Sequence, residues 1–199
     1  LFLKRNNHLK DNELLGIIQK ENTKLKAQVE RFLHLSKVEK GDYQLQKENL
    51  NLRQLIEDLS HEMKMQIEAK KGQISFEKLP NNLNIFGDKW HLTHVFQNLL
   101  DNALKYSNEE PKISISGHQN GKEAHIQFQD NGIGIPKCDQ ANIFKKFQRI
   151  GNGNIQNNRG FGLGLAYVKM MIEKHGGSIK VNSNEDCGSR FDIYLPVAS

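Results

Sequence analysis

The stretch at 88–107, DKWHLTHVFQNLLDNALKYS, constrains this chain more than any other. At about 100° per residue it reads as an amphipathic helix. Leu92, Phe96, Leu99, Leu100, Ala103 and Leu104 share one broad apolar face that must be buried in a core. Asn98, Asn102 and Lys105, at i, i+4 and i+7, line up on the opposite face. That face can be an ordinary solvated surface. Two carboxamides and one amine, however, solvate a helix less well than Glu and Lys do. They suit a polyphosphate and its metal, since an Asn carbonyl can ligate Mg2+ and Lys is a point cation for phosphate.

Two glycine-rich stretches lie downstream. DNGIGIP, from Asp130, follows the strand-like HIQFQ, and RGFGLGL, from Arg159, opens a second helix. Gly160, Gly162 and Gly164 do not fit the dinucleotide fingerprint, whose third glycine stands three places after the second. Glycines ahead of a helix still expose backbone N–H groups at the positive end of its dipole, where phosphates bind. A bare cap needs one glycine, so three spaced by two favour phosphate binding. Residues 137–159 are rich in Asn, Gln, Gly and Lys and can bury little. A loop of that length is usually a lid or disordered. Phe144 and Phe147 are expected to anchor it through hydrophobic contacts. Lys145, Lys146 and Arg149 are expected in solvent, within possible reach of a γ-phosphate.

Taken in order, NLLDNALKYS from Asn98, DNGIGIP from Asp130, IFKKFQRI from Ile143 and GFGLGL from Gly160 resemble four boxes of one family: the N, G1, F and G2 boxes of the ATP-binding catalytic domain of sensor histidine kinases, within the wider GHKL ATPase superfamily. The resemblance runs from about residue 41 to the end and is weaker before that. It implies ATP and Mg2+, and transfer of the γ-phosphoryl to a histidine for relay to an aspartate of a response-regulator receiver domain. Carried over residue by residue, it implies catalytic roles for Asn98 and Lys105 and a Mg2+ ligand in Asn102. The nucleotide would be bound by these three with Tyr106, Asp130, Gly132, Gly134, Ile135, Phe144, Phe147, Gly160, Gly162, Leu163 and Gly164.

The Asp130 carboxylate would accept a hydrogen bond from the adenine amino group and disfavour guanine, which has a carbonyl there. From the residues alone, Asp130 is as well read as the cap of the Asn131-Gly132 turn, and Tyr106 as a rim aromatic. Two departures stand out: Phe161 occupies a position where the family often has Ser or Thr, and His91 one where it usually has Arg. Asn98 stands where gyrase-type and mismatch-repair-type relatives need a catalytic Glu, which favours a kinase over another GHKL ATPase. A nucleotide-sensing dimerisation module without transfer activity is the remaining alternative.

Around the site, periodicity predicts an extended segment at 41–50 and a helix at 52–70, with Leu55, Leu59, Met63 and Ile67 as its core stripe and Gly72 as its close. Strands are expected at 73–76 and 83–86, a hairpin of 112–116 and 124–129 joined by the turn HQNGK, and final strands at 178–181 and 190–195. The last helix should run from the second glycine stretch to Lys174 and stop at Gly176-Gly177. Paired strands, with helices that cannot all be crossovers, point to α+β: a two-layer sandwich, Bergerat-type by the resemblance, whose mixed sheet is covered by helices on one face.

Residues 11–38 read as one helix. Leu14, Ile18, Leu25, Val29, Phe32 and Ser36 approach an a/d heptad seam, with Asn22 near it. Such a seam must bury itself, and a homodimeric bundle like that of histidine kinases is the preferred partner. The expected division is a partial dimerisation and phosphotransfer segment at 1–40 and a catalytic domain at 41–199. His61-Glu62 begins like a phosphoacceptor motif but continues Met-Lys-Met-Gln instead of the family's Leu, Arg or Lys, Thr or Asn, Pro. His8 and His34 lack the motif too, and His91 and His94 have no further zinc ligand nearby. The phosphoacceptor histidine is therefore expected to lie upstream of Leu1, in a longer parent.

The net charge of +5 is spread along the chain, which argues against a nucleic-acid groove. No apolar run approaches the ~20 residues that cross a bilayer, so no membrane contact is expected within these residues. Cys138 and Cys187 stand far apart and read as free thiols in a reducing compartment. The expected location is cytoplasmic, in a parent that can be membrane-anchored.

Overall fold

A computed structural model of the chain describes residues 14–16, 18, 19, 22, 23, 25, 26, 29, 44–107, 110–148 and 162–197. These fall into two units, Leu1–Gln44 and Leu45–Ser199. In the first, the described residues from 14 to 29 are helical, and Thr23 Oγ1 donates to Gln19 O at 2.9 Å. Leu14, Leu15, Ile18, Leu25 and Val29 are 50% to 60% exposed. Four of these five belong to the expected seam. Phe32, Ser36, His8 and His34 lie outside the described residues.

The second unit begins with β1 (Glu48–Asn51), which pairs antiparallel with β3 (Asn84–Gly87) in a ribbon of its own. Asn51 then caps α1 (Leu52–Glu62), its side chain accepting from Gln54 N at 3.1 Å. Leu52, Leu55, Ile56 and Leu59 follow the i, i+3, i+4, i+7 pattern and are buried. The single helix expected over 52–70 is in fact two. Met63, at ψ −1°, separates α1 from α2 (Lys64–Ala69). Its close also differs from expectation: the left-handed residue is Lys71 (φ +53°), and the Gly72 N–H reaches back to Ile67 O at 2.8 Å.

The main sheet has the order β2 (Gln73–Lys78), β4 (Lys112–Asn120), β5 (Glu123–Gln129), β7 (Ser189–Pro196) and β6 (Ser178–Ser183). β2 runs parallel to β4 and every other pair is antiparallel, so the sheet is mixed and the fold is α+β. Strand alternation puts Ile113, Ile115, Ala124, Ile126, Phe128, Phe191, Ile193 and Leu195 in the core. Register sets Ile126 opposite Ile193 and Phe128 opposite Phe191. Against this apolar face packs α3 (Lys89–Lys105), whose Phe96 stacks on Phe128 at 5.5 Å. The expected turn HQNGK is too long: His118, Gln119 and Asn120 belong to β4, and only Gly121 (φ +60°) and Lys122 turn the chain.

The other face of the sheet is polar, and the one buried carboxylate described on it, Asp192, is paired. Asp192 is buried and accepts from Gln127 Nε2 (2.6 Å) and Arg190 Nε (3.0 Å), with His125 Nε2 at 3.0 Å. Burial alone would raise its pKa; the three hydrogen bonds and the Arg190 charge together outweigh that and hold it below the ordinary value.

Two remaining helices complete the unit, the single-turn α4 (Lys137–Gln140) and α5 (Gly164–Lys174). α5 stops where Gly176 takes φ +79° and Gly177 N–H returns to Ile172 O, as expected. His175, beside that cap, ties the start of α3 to the end of α5. The Asp88 N–H donates to its Nε2 (2.9 Å), while its Nδ1 lies 2.7 Å from Met171 O. Asp88 in turn accepts from His91 N (3.1 Å) and Gln46 N (2.9 Å). Both cysteines are free and exposed. Among the described residues no helix is long and apolar enough to cross a membrane.

Candidate functional site

The site lies where α3 ends, the loop after β5 begins, and α5 starts. All six residues assigned to the apolar face of α3 are buried. So is Asn98, at 5% exposure, although periodicity set it on the far side. The reason is tertiary: the first residue of α5 covers it. A Cβ placed on Gly164 would lie 2.9 Å from Asn98 Oδ1. The amide of Asn98 is committed to His94 O (2.7 Å), which leaves its carbonyl turned toward the α5 N-terminus. One turn on, Asn102 is half-buried and its carboxamide makes no hydrogen bond to a described residue. Lys105 Nζ sits 4.8 Å above the Tyr106 ring and 3.2 Å from its hydroxyl.

Tyr106 joins this helix to the glycine loop. Its carbonyl accepts Ile133 N–H at 3.0 Å, and Gly132 packs so close that a Cβ there would stand 2.8 Å from the same oxygen. Beside it, Asp130 Oδ1 accepts two backbone N–H groups, Gly132 at 2.8 Å and Ser189 at 3.1 Å. Burial pushes this carboxyl above the ordinary carboxylate value, against the pull of those two donors. Among the described residues, only Oδ1 is so engaged. Gly134, at φ +70°, is pressed against the turn between β6 and β7, where a Cβ would come within 1.8 Å of Asn184 O. Ile135 is buried, and its N–H donates to Ser183 Oγ at 2.8 Å.

Of the two aromatics expected to anchor the segment after Pro136, one departs from expectation. Ile143 is buried and Phe144 half-buried, but Phe147 is 61% exposed and holds a positive φ of +61°. Phe147 is thus no hydrophobic anchor. Its backbone does the holding: Phe147 N–H donates to Gly162 O at 3.0 Å, which joins the F-like stretch to the second glycine stretch. Gly162 takes φ +68° with a would-be Cβ 2.6 Å from Gln148 O, and Leu163 O begins α5 by accepting Tyr167 N–H at 2.9 Å. Gly160, Phe161 and Arg149 lie outside the described residues.

His91, the departure noted above, is buried and its Nδ1 lies 2.8 Å from the Tyr167 hydroxyl. This position braces α3 against α5 rather than facing the site. Sequence reasoning missed Ser183, Ser189 and Gln140, which hold the loop from behind; Gln140 Nε2 donates to both Ile135 O (2.9 Å) and Ser183 O (2.7 Å). A serine at a strand end carries no local signal of such a role.

Residues 87–199, more than half of the chain, match the family model described as histidine kinase-, DNA gyrase B-, and HSP90-like ATPase. The sensor protein RprX of Bacteroides fragilis is 37% identical over 185 residues, which are 92% of this chain and 36% of RprX. Among solved structures, the mycobacterial sensor histidine kinase MprB is 27% identical with a TM-score of 0.64, covering 75% of this chain and 97% of that one. The histidine kinase ThkA, solved in complex with the response regulator protein TrrA, superposes with a TM-score of 0.71 at 23% identity over 92% of this chain and 50% of that one. The chain spans about a third of the length of RprX.

Proposed function

The chain belongs to the family of histidine kinase-, DNA gyrase B- and HSP90-like ATPases, as the ATP-binding catalytic domain of a sensor histidine kinase, and on that premise we propose how its site works. ATP lies between the end of α3 and the two glycine stretches. Its γ-phosphoryl is delivered to a histidine outside the motifs of this chain, for relay to a receiver-domain aspartate. The carrying observation is convergence. Asn98 faces Gly164, and Tyr106 holds the loop that carries Asp130, so three stretches far apart in sequence meet at one place.

In this reading Asp130 receives the adenine amino group on Oδ2, with Gly132, Gly134 and Ile135 shaping the wall behind it. Tyr106, Phe144 and Phe147 border the nucleotide. Lys105 neutralises phosphate charge, and the backbone at Gly160, Gly162, Leu163 and Gly164 offers N–H groups at the start of α5. Asn98 and Lys105 act in the transfer by orienting and neutralising rather than by bonding covalently. Asn102 would hold Mg2+ by its side-chain carbonyl, which suits a hard cation that keeps most of its ligands as water and phosphate oxygens. When bound, such an ion would supply neutralisation of phosphate charge.

The half-exposed seam of Leu14, Ile18, Leu25 and Val29 supports a homodimer through the helical segment at 1–40, with the catalytic domain at 41–199. A response-regulator receiver domain as partner accords with the ThkA complex. A cytoplasmic location follows from the need for ATP. Titration with ATP, with and without Mg2+, tests the site: Asn102→Ala should weaken binding chiefly when Mg2+ is present. Equal affinity of wild type and variant in Mg2+ would remove Asn102 from the metal.

A further inference from the structure

Behind Asp130 lies a chain of buried hydroxyls whose hydrogen-bond polarity can be worked out atom by atom. Ser183 is 5% exposed. Its Oγ accepts the Ile135 N–H at 2.8 Å and donates to Gly188 O at 2.7 Å. The Ser189 Oγ lies 3.0 Å away. A hydroxyl has one hydrogen and two lone pairs. The hydrogen of Ser183 is committed to Gly188 O, so the hydrogen between the two serines must come from Ser189. Ser189 is then left as an acceptor only. Its own backbone N–H grips Asp130 Oδ1 at 3.1 Å, and its carbonyl accepts the Asp130 N–H at 2.9 Å.

We propose that Ser183, which lies behind the base site and does not line it, is a positioning residue that sets nucleotide selectivity. It fixes the path of the loop through Ile135 and commits the Ser189 hydroxyl hydrogen away from the base. The Ser189 hydroxyl, next to Asp130 in the hydrogen-bond chain, is then left with lone pairs alone, which suits an exocyclic amino group and disfavours a carbonyl. Without the Ser183 hydroxyl, Ser189 can rotate and offer its hydrogen to a ring carbonyl or to Asp130 itself. A base carrying a 6-oxo group then becomes tolerated. The inference rests on the placement of Asp130 against the adenine amino group.

Inosine triphosphate is the probe, since it differs from ATP by a 6-oxo group with a ring N–H in place of the 6-amino group. Dissociation constants for ATP and ITP are measured on the whole chain for wild type, Ser183→Ala and Ser183→Thr. The wild type should prefer ATP by more than tenfold. Ser183→Ala should lower that preference at least threefold, and Ser183→Thr, which keeps the hydroxyl, should restore it. If Ser183→Ala does not fold, Ser183→Cys, similar in size but a weak hydrogen-bonding partner, should lower the ratio in the same direction. A variant that loses ATP and ITP affinity equally overturns the role of Ser183 and leaves Asp130 in place. A wild type that does not distinguish ATP from ITP overturns both.

Discussion

The two ends of the site are built in different ways. On the Asp130 side, a loop is clamped by backbone and buried hydroxyl contacts: Gly134 against Asn184, Ile135 on Ser183, Asp130 between Gly132 and Ser189. At the end of α3 and the start of α5, the site is made from helix termini and longer side chains, with Asn98 against Gly164 and Lys105 over Tyr106. In the proposed reading, the clamped loop is preorganised for one shape of base, whereas an Asn or Lys side chain can rotate to follow a phosphate.

That contrast breaks most sharply at two glycines. At Gly134 an added Cβ meets a backbone carbonyl at 1.8 Å and the φ of +70° is itself unfavourable. Gly134→Ala should cost above ~4 kcal/mol of stability and abolish ATP binding. Gly164→Ala meets only the tip of the Asn98 side chain at 2.9 Å and should cost about 1–3 kcal/mol. Thermal unfolding of both variants measures the gap, and equal costs would mean that the clamp is no stiffer than the helix junction.

Asp130 sits within the clamped side. Its folded pKa lies above the ordinary 3.8, so its stabilising contribution is present below that pH and is lost as pH rises through the folded value. Once ionised, the carboxylate therefore works against the fold. Asp130→Asn should keep or raise Tm while ATP affinity falls about tenfold, since one mismatched buried polar contact costs ~1–3 kcal/mol. By the same contact the wild type should prefer ATP to GTP by more than tenfold in competition binding. A loss of both Tm and affinity would make Asp130 a structural cap.

The smallest expected effect concerns His175, which joins α3 to α5 and so supports the helix end of the site. Burial is the main cause of its lowered pKa, and its Nε2 must stay unprotonated to accept the Asp88 N–H. A depressed folded pKa gives stability that is fully present above 6.5 and lost as pH falls from there through the folded value. Tm should decline over that window, and His175→Gln should flatten the decline. A Tm profile identical in wild type and variant would take His175 out of it.

Most of the fold was legible in the sequence because local periodicity reports local neighbours. The apolar face of α3, the stripe of Leu55, Leu59, Met63 and Ile67 along α1 and α2, and the alternation in β4 and β5 each rest on residues two to four places apart. The four boxes, in order, gave the family and the residues to test. Tertiary structure alone decided the rest. Asn98 is buried because α5, more than sixty residues on, closes over it. Phe147 is exposed because its backbone, through Gly162, does the anchoring expected of its ring. Ser183 meets Ile135 because a strand end some fifty residues on folds back onto the loop. Such contacts join segments distant in the chain, and no pattern within either segment encodes which one it will meet.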